Sequence, residues 1–295
     1  MDRTLEDLFD RQGGFATTAQ LLARLSRRRL EAAVAAGDLS RVWHGVYCRG
    51  EIDDLRRLQA LDFMCGTPVP VCLGTAAALY GTPRNPATCT YSARPARGCA
   101  RPTGWWCTAA RAHRCRPWPA GRPATAAAWT AVEVARTLRR PRALAALDAA
   151  LRSGTCTRAE LWRAAVAQAG RRGIVAVRGL LPVADGRAES PMESEARLVM
   201  LDGGLPVPEL QYRVVDGNGE LRRLDFAWPE RRVAAEYDGE FWHDDPAAIR
   251  RDRRRQVALQ EVGWTVERIV LEDVRRFPVE LVARLGAHLR PVAVA

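Results

Sequence analysis

Over residues 1–50, apolar positions recur first at helical spacing and then at strand spacing. Leu5, Leu8 and Phe9 form the stripe of a first helix, which Gly13-Gly14 stops. Thr17 or Thr18 caps a second helix carrying Leu21, Leu22 and Leu25. Ser26 caps a third, Arg27 to Ala36, with Leu30 and Val34 spaced i, i+4 on the face expected to be buried, and Gly37 ends it. Leu39, Arg41 and Trp43 then alternate with Ser40, Val42 and His44, and Gly45-Val46-Tyr47 follows, which predicts a short hairpin or wing. Three helices, a tight turn and a wing are the plan of a winged helix-turn-helix, whose third helix enters the DNA major groove led by its N-terminal residues. Arg27, Arg28 and Arg29 hold those places, and Arg41 lies on the wing, so these four are candidate DNA contacts.

Residues 51–184 read as a mixed α/β middle region. Leu55 to Met64 and Thr75 to Tyr80 are expected helices, Pro83 to Pro119 short strands and loops, and Ala124 to Leu138, Arg142 to Arg152 and Thr157 to Ala169 Ala-rich helices. Ala184-Asp185-Gly186-Arg187 is the expected linker. Residues 189–295 then follow an α-β-β-β-α-β-α rhythm. A helix runs from Ser190 to Leu201, strands cover Gln211 to Val215, Leu221 to Trp228 and Arg231 to Tyr237, and a helix from Pro246 to Val262 precedes a strand from Trp264 to Leu271 and a last helix. The expected class is an α+β multidomain protein: an N-terminal winged helix-turn-helix, the mixed middle region and a C-terminal α/β domain around a central mixed sheet.

Charge separates these parts further. The formal net charge is +11, and every basic residue is arginine. Residues 1–188 are strongly basic, and residues 189–295 carry more acids than arginines. A basic part joined to an acidic part suggests one region that holds a polyanion and another that concentrates carboxylates. With no lysine, phosphate contacts fall to the planar guanidinium fork. The apolar run Val69 to Gly81 contains Pro70 and is shorter than the ~20 residues of a membrane span. The N-terminal stretch lacks the basic-then-apolar layout of a secretory signal. A cytoplasmic protein without a membrane partner is expected. The 8 cysteines contain no Cys-x-x-Cys pair; Cys99, Cys107, His113 and Cys115 form only a loose cluster, so no zinc is expected.

The C-terminal acids carry candidate chemistry. If the loop after Trp228 has two residues, Asp225 faces Ala234, and Glu236 and Asp238 share its face of the sheet. Asp225 and Glu236 are then diagonal neighbours, able to share a hard divalent cation. An odd loop would put them on opposite faces. Glu193, in Ser190-Pro191-Met192-Glu193, is a third candidate and also completes a capping box; Glu195 is the less favoured choice. His243 is the histidine near these acids and suits acid–base work. Phe241-Trp242 reads either as core or as a wedge between bases. Arg250, Arg251, Arg253, Arg254 and Arg255 crowd the following helix; Arg251, Arg254 and Arg255 are candidate DNA contacts.

Residues 190–275 resemble the very-short-patch-repair-like endonuclease domains of the PD-(D/E)xK superfamily. The carrying motifs are Ser190-Pro191-Met192-Glu193-Ser194, Gly204-Leu205-Pro206-Val207-Pro208, Leu224-Asp225-Phe226, Glu236-Tyr237-Asp238-Gly239, Phe241-Trp242-His243, Arg251-Asp252-Arg253-Arg254-Arg255 and Gly263-Trp264-Thr265-Val266. The resemblance implies a restriction-endonuclease-like fold, Asp225, Glu236 and Glu193 as ligands of Mg²⁺ or Mn²⁺, and His243 as general base. Asp238 stands where the superfamily has its catalytic lysine.

Residues 1–180 resemble the AbiEi-type antitoxin family. Here the carriers are Gly14-Phe15-Ala16-Thr17, Gly37-Asp38-Leu39, Gly45-Val46-Tyr47, Leu73-Gly74-Thr75-Ala76-Ala77-Ala78-Leu79-Tyr80-Gly81 and Ala146-Leu147-Asp148-Ala149-Ala150. This resemblance implies an N-terminal winged helix and a DNA-binding repressor of a bacterial toxin–antitoxin locus, with a cognate toxin as partner. Two functions follow from the two halves. The first expectation is a divalent-metal-dependent DNA endonuclease held on DNA by its Arg-rich N-terminal part. The alternative is a non-catalytic repressor and antitoxin of type IV with a degenerate nuclease domain, which the missing lysine favours.

Overall fold

The computed structural model describes residues 3–80, 90–91, 106–107, 115–117, 123–239 and 246–290. The chain forms two units, residues 1–79 with 83–126, and residues 127–295 with 80–82.

The first unit opens with α1 (Arg3–Arg11), β1 (Phe15–Thr17), α2 (Thr18–Leu22), α3 (Arg27–Ala35), β2 (Ser40–Trp43) and β3 (Val46–Cys48). Thr17, not Thr18, caps α2: its hydroxyl accepts from Gln20 N–H, and the Gln20 side chain accepts from Thr17 N–H. Ser26 accepts from Arg29 N–H and starts α3 where the sequence places it. The strands form an antiparallel sheet of order β1-β3-β2. β1 is absent from the sequence reading, because three residues are too few to show an alternation. Side-chain alternation sorts two cores. Phe15, Val46 and Cys48 pack with Leu61 of α4 (Asp54–Cys65), while Ala16 joins Phe9, Leu21, Leu30 and Leu39. Val34, expected beside Leu30 in the core, is instead 37% exposed. α3 is only 9 residues long and leans on its neighbours through Leu30. Beyond α4 come α5 (Leu73–Leu79), β4 (Thr90–Tyr91), β5 (Trp106–Cys107), β6 (Cys115–Pro117) and β7 (Pro123–Thr125), paired as β4–β5 and β6–β7.

The second unit begins with α6 (Ala127–Ala135), α7 (Arg140–Arg152), α8 (Arg158–Ala167) and α9 (Ile174–Leu180). Their shared core is mainly small and branched aliphatic side chains, including Val132, Leu144, Leu147, Leu161, Ala165 and Val177, with Leu198 of the next helix packed in. α9 is not assigned from sequence, since Ile174-Val175-Ala176-Val177 shows no helical cap. Gly173 supplies the turn into it at φ 84°. A Cβ there would also run into the Arg136 carbonyl oxygen. Gly173→Ala is therefore expected to cost about 2–3 kcal/mol, read as a drop in the urea midpoint of unfolding. Residues 184–187 do not behave as a free linker. Ala184 is fully buried, Asp185 N–H donates to Asp148 Oδ1 at 2.7 Å, and a Cβ on Gly186 would meet Arg152 N at 2.8 Å.

The chain continues through α10 (Pro191–Asp202), β8 (Glu209–Val215), β9 (Leu221–Trp228), β10 (Val233–Tyr237), α11 (Pro246–Glu261), β11 (Thr265–Ile269), α12 (Leu271–Arg275) and α13 (Pro278–Leu289). The expected rhythm recurs, with the last helix in two pieces broken before Pro278. The sheet order is β11-β10-β9-β8; β10–β11 is parallel and the other pairs are antiparallel, so the sheet is mixed. Phe226, Trp228, Val233, Ala235 and Ile269 pack with Met200 and Leu281 on one face. Ala227 and Ala234 pack with Leu259 and Trp264 on the other.

The loop between β9 and β10 departs from the expected two residues. Pro229–Arg231 make a 3-10 turn, Arg232 takes φ 51°, and Val233 pairs with Trp228. The turn is thus longer by an even number, which shifts the register but keeps the side-chain parity. Ala234 therefore pairs with Ala227 instead of Asp225, and the β9–β10 ladder ends at Ala235–Phe226.

Candidate functional site

The first candidate surface is the leading turn of α3. Arg27, Arg28 and Arg29 are all exposed there, and Arg41 is exposed on β2. Among the described residues none of these four side chains has an ion pair or hydrogen bond. No acid stands in the first turn of α3. Cations at the positive end of a helix dipole cost about 0.3–1 kcal/mol each. A phosphate at the same place would reverse that sign. A local rule broken on a well-capped helix makes this turn a candidate binding position.

The second candidate is the acidic group around β8 and β9. Glu193 is buried at the start of α10, and Ser190 accepts from its N–H at 3.1 Å. Its Oε2 accepts from Glu189 N–H at 2.8 Å and from Gln211 Nε2 at 3.1 Å. Gln211 Nε2 also lies 3.5 Å from Asp225 Oδ1, and Asp225 Oδ2 accepts from Tyr237 N–H at 3.0 Å. Gln211 is the residue sequence reasoning missed. It takes φ 54°, and the strands change faces around it: Leu210 and Phe226 pack on one side of the sheet, Tyr212 and Leu224 on the other. The Asp216-Gly217-Asn218-Gly219 turn fixes the β8–β9 register and would have set Gln211 opposite Asp225.

Burial pushes the Asp225 carboxyl above its ordinary range, and the Glu193 carboxylate pushes the same way, against the Tyr237 amide and Gln211. The folded protein therefore keeps this proton to higher pH than the unfolded chain. Stability is lost as pH rises from the ordinary carboxylate value through the raised one. Asp225→Asn escapes that loss: its melting temperature should exceed that of the parent near neutral pH, with the advantage shrinking toward about pH 4. Thermal unfolding across that range checks it.

Glu236 is not part of this group. Arg255 grips both its oxygens, Nη1 to Oε2 at 2.7 Å and Nη2 to Oε1, and also donates to Arg223 O at 3.2 Å. Arg255, expected on a phosphate track, is thus an internal partner. Asp238 receives Arg268 at 2.8 Å, and the same guanidinium reaches Asp252. Arg251 and Arg254 are exposed on α11. Glu195 is ion-paired to arginine rather than joined to Glu193. His243, Phe241 and Trp242 lie outside the described residues, as do Cys99 and His113. The residues present do not fit one cation held by Glu193, Asp225 and Glu236 together, because Glu236 is already neutralised by Arg255. Among the described residues no group of three or more His, Cys, Asp or Glu side chains could hold a metal ion. No helix among them is long and apolar enough to cross a membrane.

Comparison with known proteins places two family matches on this geometry. Residues 3–50 match the model described as transcriptional regulator, AbiEi antitoxin, which covers α1 to β3. Residues 69–183 match the AbiEi antitoxin C-terminal domain. Two uncharacterized proteins of Mycobacterium tuberculosis, from strains CDC 1551 and H37Rv, are each 54% identical to this chain over 265 residues, which is 90% of this chain and 97% of the relative. The chain belongs to one family with these mycobacterial proteins and carries both AbiEi antitoxin domains.

Proposed function

We propose that the chain is a DNA-binding transcriptional regulator of the AbiEi antitoxin type, acting on its own operon beside a cognate toxin. The carrying observation is the exposed Arg27-Arg28-Arg29 turn, unpaired among the described residues, that leads α3 within the segment matching a transcriptional regulator. On this reading α3 enters the major groove, and Arg41 on the wing meets a phosphate. A reporter fused to the region upstream of its coding sequence should be repressed by the full chain and released by Arg28→Ala. Equal expression with the parent, the variant and no protein would count against it.

A second reading, a divalent-metal-dependent endonuclease without Glu236 as a ligand, is favoured by the convergence of Glu193 and Asp225 on Gln211. The Mg²⁺ or Mn²⁺ requirement belongs to this reading alone. Plasmid nicking by the full chain with Mg²⁺, absent with EDTA and in Asp225→Ala, would establish it; intact plasmid under all three conditions would dismiss it.

A further inference from the structure

Glu195 on α10 is the centre of an arginine cluster that the acidic site does not use. Its side chain is only 3% exposed, and three guanidiniums surround it: Arg142 Nε at 2.7 Å, Arg275 Nε at 3.3 Å and Arg139 Nη2 at 4.0 Å. Arg139 and Arg142 come from the start of α7, Arg275 from the end of α12. One carboxylate balances one guanidinium, so two positive charges stand in excess. The arginines remain 62%, 39% and 34% exposed for Arg139, Arg142 and Arg275. Arg275 Nη2 also donates to Glu195 Oε1 at 3.3 Å and reaches Met192 Sδ at 3.4 Å, whereas the Arg139 contact to Glu195 is long.

A clamp between α7, α10 and α12 accounts for Arg142 and Arg275. It does not account for Arg139, because an exposed pair at that distance adds almost nothing to stability. Three guanidiniums gathered around one carboxylate, each still partly exposed, can offer donors to the oxygens of a phosphate group. Glu195 fixes two of the three side chains in advance, which lowers the entropy lost when an anion docks.

We infer that Arg139, Arg142 and Arg275 form a phosphate-binding patch on the second unit that contacts the backbone of bound DNA, with Glu195 as the positioning residue. The patch carries no base readout, and it rests on the DNA-binding function proposed above. It adds affinity and salt dependence, whereas α3 supplies sequence preference.

The test is a salt series with the full chain, following anisotropy of two labelled duplexes: the region upstream of its coding sequence and a shuffled version. Arg139→Ser should lower the slope of log affinity against log salt by about 0.9, and Arg139→Ser with Arg142→Gln by about twice that. The preference between duplexes should stay at the parent value, and Arg139→Ser should melt at or slightly above the parent, because serine is a better cap for α7. Slopes equal to the parent in Arg139→Ser overturn the patch, and that variant removes no close contact to Glu195. Arg28→Ala, in parallel, should lose the preference between duplexes. Should the parent bind neither duplex, the DNA-binding function fails, and inorganic triphosphate decides the patch by itself. A rise in parent melting temperature that Arg139→Ser abolishes supports a phosphate site of non-nucleic origin; no rise overturns the patch.

Discussion

Replacing Asp148 with asparagine should lower the stability of the second unit by about 3–5 kcal/mol. Asp148 is fully buried and Arg197 is 4% exposed, and their ion pair is 2.6 Å long. Asp185 N–H also donates to the carboxylate, at 2.7 Å. Arg197 also donates to the Val183 carbonyl. Burial pushes the Asp148 carboxyl up, and Arg197 with the other donors opposes it. The guanidinium cannot give up its proton, so asparagine leaves a full charge without a counter-ion inside the unit. The pair also pins residues 183–185 to α7 and α10, so the loss should spread to that segment. Urea unfolding of parent and variant measures it. The double change Asp148→Leu with Arg197→Met should be less damaging than Asp148→Asn, because it removes both charges at once. A loss below about 1 kcal/mol for Asp148→Asn would contradict a desolvated pair.

Replacing Arg27, Arg28 and Arg29 together with alanine should cut DNA affinity by at least about a hundredfold near 0.1 M salt, from about 1–3 kcal/mol for each lost base contact and the loss of phosphate neutralisation. The same variant should melt at or slightly above the parent temperature. The three cations oppose the α3 dipole, and alanine is the better helix former. Lost binding with retained or raised stability separates a recognition turn from a structural one. Lost stability together with lost binding would mean that the arginines hold the fold. Affinity unchanged would mean that α3 does not touch DNA.

Much of the fold is legible in the chain, for local reasons. Ser26 before three arginines, and Ser190-Pro191 before Glu193, mark helix starts through caps that act within one turn. The face shared by Phe226 and Ala235 survives a misjudged loop, because only the loop's parity matters there. The site is less legible, since its partners are set by long-range packing. Arg255 sits in a run of arginines that looks uniformly solvated. Only its spacing to Ala258 and Leu259, both buried, marks it as the member facing the sheet and hence Glu236. Gln211 carries no charge and breaks the strand's alternation, so no periodicity points to it. Glu195 appears as a weak rival to Glu193, yet lying two residues along the helix it turns to another face and meets arginines from α7 and α12. The Asp148–Arg197 pair joins helices 49 residues apart, beyond any local pattern.

The central claim is that this chain reads DNA sequence through α3. Equilibrium binding of the full chain to the duplex upstream of its own coding sequence, against a shuffled duplex of equal composition at one fixed salt concentration, tests it most directly. A preference of about a thousandfold or more for the upstream duplex, lost when Arg27, Arg28 and Arg29 are replaced, is the predicted result. Equal affinity for both duplexes, or a preference that survives the replacement, would contradict the claim.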